Sequence, residues 1–464
     1  MKTNKLIKTT LTACLLSLTI SLQAQVTMGG NKEPEIFSVL ELISNESAGL
    51  RMPILSTQER DDITTTQKFQ DNATGLAKGL TIYNTSNDCL EFWSGTKWIS
   101  TCKGETPTYP ITREATVNSC IPYMFTYQTL NLWINYSATP APTSYQWVVD
   151  GQAVEGATSD TYAYTPPSNL ALEKDELGNY KKTVKFTCQM EIDGEIKQTI
   201  DYEVLVVRAT KGSLSPIYVN AWNEAGTALE KETFAHVNLG DENETNPCNM
   251  LGYLFQWGRK ADGHQERSSL QYPATGFGTS STIAQLTDLD ANGQVLSDRP
   301  QYGKYIPGYT GSKDDWRNPQ SDTLWGDGTE KRNQLKTASD PCPTGWKVPS
   351  REQWQSIYKV SGAGIPSQAT ANSWTYIKGI AIPANKAPGG FALADILYLP
   401  IGGYRDFMDI WFIGATGNGN YWTSTSTLKD GNAVSYDIAF YSGGVDTFYR
   451  MFRSAGCSVR CIKE

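Results

Sequence analysis

Apolar and polar residues alternate with period two along much of this chain, in short runs broken by turn residues. CLEFW at 89–93 and KWISTC at 97–102 flank Ser94-Gly95-Thr96. With Gly95-Thr96 as a two-residue turn, position 94 pairs with 97, 93 with 98 and 89 with 102. Trp93 then faces Trp98, and Cys89 faces Cys102 on the same side of the ribbon, so a Cys89–Cys102 disulfide is expected. Phe92 and Ile99 pair on the other side. The two Trp read as packing and not as a sugar platform.

Further alternating runs follow: YQWVV at 145–149, TYAY at 161–164, KTVKFTCQMEI at 182–192 and QTIDYEVLVVR at 198–208. Asp150-Gly151 reads as a tight hairpin turn. Regularly spaced short strands with turn signals predict a β-sandwich over 111–210, its last two runs forming a hairpin at the edge. A Thr/Pro-rich linker, TCKGETPTYP at 101–110, precedes it. The clearest helix lies farther on, in KVPSREQWQSIYKVSG at 347–362. Ser350 is an N-cap, Gln353 occupies the capping-box position and Gly362 ends the helix. Trp354, Ile357 and Tyr358 share its buried face. The remainder of 212–464 reads as short strands and aromatic-bearing loops rich in Gly, Asn and Ser.

Composition narrows the picture. Lys2, Lys5 and Lys8 precede an apolar run from Leu11 to Leu22 and a cleavage site after Ala24, which predicts a signal peptide over 1–24 and an exported chain. Leu11-Thr12-Ala13-Cys14 resembles a lipoprotein cleavage box, but the apolar run continues past Cys14, which favours ordinary cleavage. No later segment is long and apolar enough to be a membrane-spanning helix. The formal net charge of −8 disfavours nucleic acid, whose phosphates demand clustered Lys and Arg. Of nine Cys, eight remain once Cys14 is removed with the signal, an even number that suits disulfides in an exported chain.

Chemistry is sparse. The chain has only 2 His, which weakens zinc sites and histidine-dependent catalysis. G-x-S-x-G, H-E-x-x-H and Walker motifs are missing from the sequence. In DLDANGQVLSD at 288–298, Asp288, Asp290 and Asn292 occupy positions 1, 3 and 5 of a calcium-type loop, with Gly293 at position 6. Position 12 is Arg299 where an acid is needed, and an Asx-rich turn is the competing reading. No cofactor is expected, with calcium the one weak candidate.

Three resemblances complete the reading. SVLELIS, GLRMPILSTQERDDI and KGLTIYNTSNDCLEFWSGTKW resemble the amino-terminal module of exported Bacteroidetes surface proteins, which implies a β-rich presentation segment over 25–103. YQWVVDGQAVEGATSDTYAYTP at 145–166 resembles the middle strands of bacterial immunoglobulin-like domains. That likeness implies a spacer over 111–210, and a Cys120–Cys188 bridge between its sheets is compatible with it. Lastly, GYLFQWGRKADGH at 252–264, DPCPTGWKVPSREQW at 340–354, LPIGGYRD at 399–406, NYWTSTS at 420–426 and CSVRCIKE at 457–464 resemble the Fibrobacter succinogenes major paralogous domain. That family is similar in layout to C-type-lectin-like and formylglycine-generating-enzyme folds. The resemblance implies an α+β lectin-like domain over 212–464, clamped by Cys342–Cys461, which leaves Cys248 and Cys457 to each other. A degenerate oxidase would need free catalytic thiols.

The sequence therefore predicts a multidomain, mostly β, exported surface protein that is not an enzyme. Its last domain would bind a surface protein or a glycan through Tyr404, Arg405, Asp406, Trp411, Tyr441, Asp446, Tyr449 and Arg450. These side chains lie on a 404–420 loop and a 441–453 hairpin rich in Tyr and Arg, residue types that concentrate binding energy. The alternative is an accessory or tip subunit of a surface filament, with other filament subunits as partners.

Overall fold

The computed structural model describes residues 26–28, 40–42, 52–86, 88–101, 109–276, 278–308, 315–358, 370–379, 389–407, 412–413, 418–429, 431–441 and 444–464. The signal-peptide expectation, Cys102, Trp411 and the expected helix end at Gly362 lie outside the described residues. The chain is mostly β, in several separate sheets with few and short helices. Among the described residues no helix is long and apolar enough to cross a membrane. Residues 1–108 and 109–464 form two compact units.

In the first unit, Ile54–Leu55 runs parallel to Thr81–Asn84, which continues antiparallel into Cys89–Trp93 and Trp98–Ser100. The turn pairs Trp93 with Trp98 and Phe92 with Ile99, as the alternation requires. Gly95 takes the positive φ of 103° that this turn demands. Trp93 packs edge-on between Phe69 and Trp98, with ring centroids at 5.1 and 5.6 Å, and its indole N–H donates to Ala73 O. Cys89 is disulfide-bonded. The alternation did not reveal the helix Thr57–Thr65. Its signal was the Ser56/Glu59 capping box, which the structure closes in both directions. Arg60 from this helix reaches Glu91 inside the sheet at 2.6 Å, and Asn84 donates to the same carboxylate.

The second unit begins with two packed sheets. One is ordered Gln152–Ala153, Ser144–Val149, Tyr180–Ile192, Tyr202–Val207, Tyr123–Phe125, and the other Thr161–Tyr164, Leu130–Tyr136, Ala115–Ser119. Asp150 and Gly151 both take positive φ, which makes the tight turn read from the sequence. Trp147, Tyr164, Phe186 and Leu132 fill the space between the sheets. Tyr202–Val207 is not an edge strand, because Tyr123–Phe125 pairs along its other side.

Apolar packing continues from the sandwich into the rest of the unit. Tyr123 stacks on Tyr398 at 5.2 Å and donates its hydroxyl hydrogen to Ile396 O. Asn179 exchanges hydrogen bonds with the Tyr218 backbone in both directions. A disulfide joins Cys120, just after the first sandwich strand, to Cys248 in the turn Pro247–Asn249. One hydrophobic core thus includes Trp147 and Val204 of the sandwich together with Trp354, Leu399 and Phe440.

Beyond the sandwich, Pro216–Trp222, Leu229–Ala235, Ile462–Lys463 and Trp346–Lys347 make one sheet, so the end of the chain pairs beside the strands that open this region. The expected Cys342–Cys461 disulfide is present next to it. A second core gathers Trp257, Trp316, Trp325 and Trp422. The strands Asn418–Lys429, Asn432–Tyr441 and Gly444–Phe452 form a three-stranded antiparallel sheet.

Two cysteine expectations are corrected. Cys120 pairs with Cys248 and not with Cys188, and Cys457 pairs with neither; Cys188 and Cys457 are free, buried thiols. Cys248 packs in the first core, where it is bonded to Cys120, and Cys457 packs in the second. Cys188 lies mid-strand opposite Trp147, whereas Cys120 has left its strand and turned toward the neighbouring region.

Candidate functional site

The sequence motifs of the last 250 or so positions are largely consumed by scaffolding. Asp340 is buried, and its two carboxylate oxygens accept from the Cys342 and Val348 N–H groups, holding the turn into Trp346–Lys347. Ser350 caps the helix Arg351–Ser356 with Gln353 in the expected reciprocal box; Trp354 and Ile357 are buried and Tyr358 is half-buried. Thr423, Ser424 and Thr425 loop out opposite Tyr436, where the register breaks between Trp422 and Ser426. They stitch the sheet to this helix: Ser424 N donates to Pro349 O, and Arg351 N donates to Thr425 Oγ1. Arg460 is fully buried and donates to Asn238 Oδ1, Ala235 O, His236 O and Tyr398 O.

The predicted ligand-binding residues divide. Arg405 is a correction: only 3% exposed, it donates to Ser269 and its guanidinium lies over the Tyr305 ring at 4.1 Å. Such a group braces a loop and is not displayed. Tyr404 and Asp406 are half-buried. On the hairpin Tyr441, Tyr449 and Arg450 are open to solvent, the two tyrosines 47% and 44% exposed, and Asp446 is half-buried. Register places Ala439 opposite Asp446 and Asp437 opposite Tyr449. By period-two alternation Tyr441, Asp446 and Tyr449 share one face, while Arg450, opposite Tyr436, belongs to the other.

Sequence reasoning missed Phe448, which is 49% exposed. A bulge sets Thr447 and Phe448 against the single residue Ile438, so three consecutive side chains, Phe448 to Arg450, all emerge. Asp446 Oδ1 accepts the Phe448 N–H, and Arg351 Nε donates to Thr447 O. Arg351 also lies between the Tyr436 and Phe448 rings, at 4.2 and 4.1 Å. This outer strand therefore has part of its edge capped by its own neighbours and offers side chains more readily than backbone. Nothing in the local sequence announces the bulge apart from the Asp446 cap.

Electrostatics set the chemistry of this face. Burial pushes the Tyr404 hydroxyl up to about 12, and neighbouring Tyr449, Asp406, Cys457 and Asp437 add to it. Tyr449 is raised for similar reasons. Both phenols stay protonated and can donate hydrogen bonds. Beneath them Asp437 is buried, accepts from Asn420 Nδ2 at 2.7 Å, and is pushed up to about 7 by burial, with Asp446 adding to it.

Both histidines and both free thiols are buried. His236 Nδ1 accepts the Ser215 N–H, its Nε2 contacts the Tyr127 hydroxyl, and burial holds it neutral down to about 3. His264 sits between Asp262 and the Gln256 N–H and is held neutral to about 4 by burial and by Arg259. The Cys188 thiol is pushed up to about 12 by burial, and Cys457 is raised well above its ordinary value by the same cause. At the calcium-type loop, Asp290 Oδ1 accepts the Asn292 and Gln294 N–H groups, and Asp288 accepts the Gln285 N–H. That is the geometry of an Asx turn, and among the described residues no cluster of three or more His, Cys, Asp or Glu could hold a metal.

Residues 28–116 match the model of a phage tail like trimerisation region. A search of curated proteins finds no match. Residues 225–463, more than half of the chain, match the Fibrobacter succinogenes major domain, and the chain belongs to that family.

Proposed function

We propose that this is an exported, surface-associated adhesin-like protein whose carboxyl-terminal unit captures a protein or glycan ligand without covalent chemistry. The observation that carries the reading is the hairpin face. Tyr441 and Tyr449 stand exposed beside Asp446, next to half-buried Tyr404, on a strand pinned by Arg351. Phenols that remain protonated, one carboxylate and rings held in place make a low-entropy recognition surface. Family membership supports a surface-associated, exported protein. The lectin-like and immunoglobulin-like readings of its modules remain part of this proposal, as does the lack of catalysis. Screening the mature chain against glycan and extracellular-protein arrays tests the proposal. Binding of any captured ligand that Tyr449→Ala weakens tenfold or more supports it, and an array on which no captured ligand responds to this change contradicts it.

A second reading is favoured by the amino-terminal match. A trimerisation-like segment over 28–116 would gather three copies, each presenting a welded head, as a structural or tip subunit of a surface filament. Light scattering on the mature protein distinguishes the states: three times the chain mass supports the trimer, and a monomer opposes it.

A further inference from the structure

The geometry points to a second binding site, away from the hairpin face: we infer that a groove between the Leu239–Asn243 loop and the Pro341–Trp346 turn takes a neutral sugar residue. The groove has a volume of about 590 Å³ and is lined by, among others, Tyr253, Trp346, Pro343, Glu242, Asn243 and Thr344. That size lies within the roughly 300–1,000 Å³ typical of small-ligand sites.

Its walls are fixed before any ligand arrives. Tyr253 lies flat against Gly240, where an added Cβ would meet the ring at 2.6–2.8 Å. Gly240 has a φ of 101°, so the close approach and the turn both depend on glycine. The Tyr253 N–H donates to Leu239 O, and the Gly212 N–H donates to Glu242 O. The opposite wall is held by the Cys342–Cys461 disulfide and by the Trp346 N–H donating to Pro343 O.

Chemistry decides the occupant. The Tyr253 ring and the two prolines supply apolar surface of the kind that packs against the C–H face of a pyranose, while Trp346, 7% exposed and with Lys463 Nζ 4.9 Å from its ring centroid, backs the groove. Around them stand the Asn243 amide and the Ser213, Thr344 and Tyr253 hydroxyls, none of which makes a side-chain hydrogen bond among the described residues. Glu242 spends its carboxylate on one backbone donor, Gly240 N–H, and has further accepting capacity. Donors and acceptors thus mix around an apolar floor, which matches a polyol. Glu242 is the one charged lining residue and Lys463 stands beyond Trp346, so the groove carries no net positive charge to select anionic sugars or phosphates. A peptide is a poorer match, because Pro341 and Pro343 remove two N–H donors from the wall where an extended backbone would pair.

The test uses the mature full-length chain on an array of neutral hexose and N-acetylhexosamine oligosaccharides, sialylated and sulfated oligosaccharides, and a proline-rich decapeptide. Neutral oligosaccharides should be retained, and Asn243→Ala and Thr344→Ala, both at exposed positions, should each weaken that binding severalfold. Tyr253→Ala should weaken it tenfold or more; the two exposed variants decide the matter if this one misfolds. Leu270→Ala, exposed and outside the groove lining, should leave it unchanged. Retention of no neutral oligosaccharide, a preference for anionic ones, or capture of the peptide in this groove would overturn the inference. So would glycan binding that Tyr449→Ala abolishes and the groove variants do not touch, an outcome that leaves the hairpin proposal standing.

Discussion

Cys120 is bonded to Cys248 across 128 positions of sequence, and the bond crosses from the sandwich into the family domain. A cross-link of that span restricts the unfolded chain by about 5 kcal/mol at most in the chain-entropy view. Replacing both residues by Ala should lower the melting temperature markedly. The sandwich should still dock, because Tyr123, Asn179 and the shared core remain. Calorimetry of the variant should show one lowered transition. Two separate transitions would mean that the disulfide alone unites the unit.

Arg460 carries a different kind of load. Its fully buried guanidinium satisfies four acceptors, and each buried acceptor left bare costs about 1–3 kcal/mol. Arg460→Met should therefore destabilise the unit by at least ~3 kcal/mol. Arg460→Lys should recover little, since one ammonium cannot span the fork. Urea denaturation midpoints give the answer, and a near-native midpoint for either variant would refute this role.

Asp437 should make stability depend on pH. Burial, its largest cause, raises this carboxyl from 3.8 to about 7 in the folded chain. Between about pH 4 and 7 the native protein keeps a proton that the unfolded chain has released. Its contribution is thus complete below about pH 4 and is lost as pH rises through about 7. Asp241 and Asp315, raised to about 7 and about 6 by burial, act in the same direction. Asp437→Asn mimics the protonated acid beside Asn420, so the variant should gain stability over the parent at pH 8 and little at pH 4. An equal effect at both values would contradict the assignment.

Arg351 joins the helix to the display strand. Arg351→Met should free Phe448 and the Thr447 carbonyl and raise amide hydrogen exchange across 444–452, with the sandwich unchanged. Unaltered exchange there would show that the bulge holds itself.

Local pattern made much of this fold legible. The Trp93/Trp98 register and the Asp150-Gly151 turn follow from alternation and turn chemistry, which involve only neighbours in sequence. The Ser350/Gln353 box is equally local. Cys342–Cys461 came from the family resemblance. What sequence could not supply was partition between cores: Cys120, Cys188 and Cys248 share one, yet strand direction decided which two meet. The site was half legible for the same reason. Tyr441 and Tyr449 emerged on alternation, while Arg405 turned inward because a distant residue, Tyr305, offered its ring. Phe448 emerged through a bulge that a period-two reading smooths over.

Photo-crosslinking from the hairpin face tests the central proposal most directly. A benzophenone side chain at position 449 of the mature protein, irradiated on the surface of cells that secrete it, should yield discrete high-mass adducts. The same side chain at Leu335, also exposed at 83%, should yield none of them. Identical adducts from both positions, or none from 449, would contradict capture by the tyrosine-bearing hairpin.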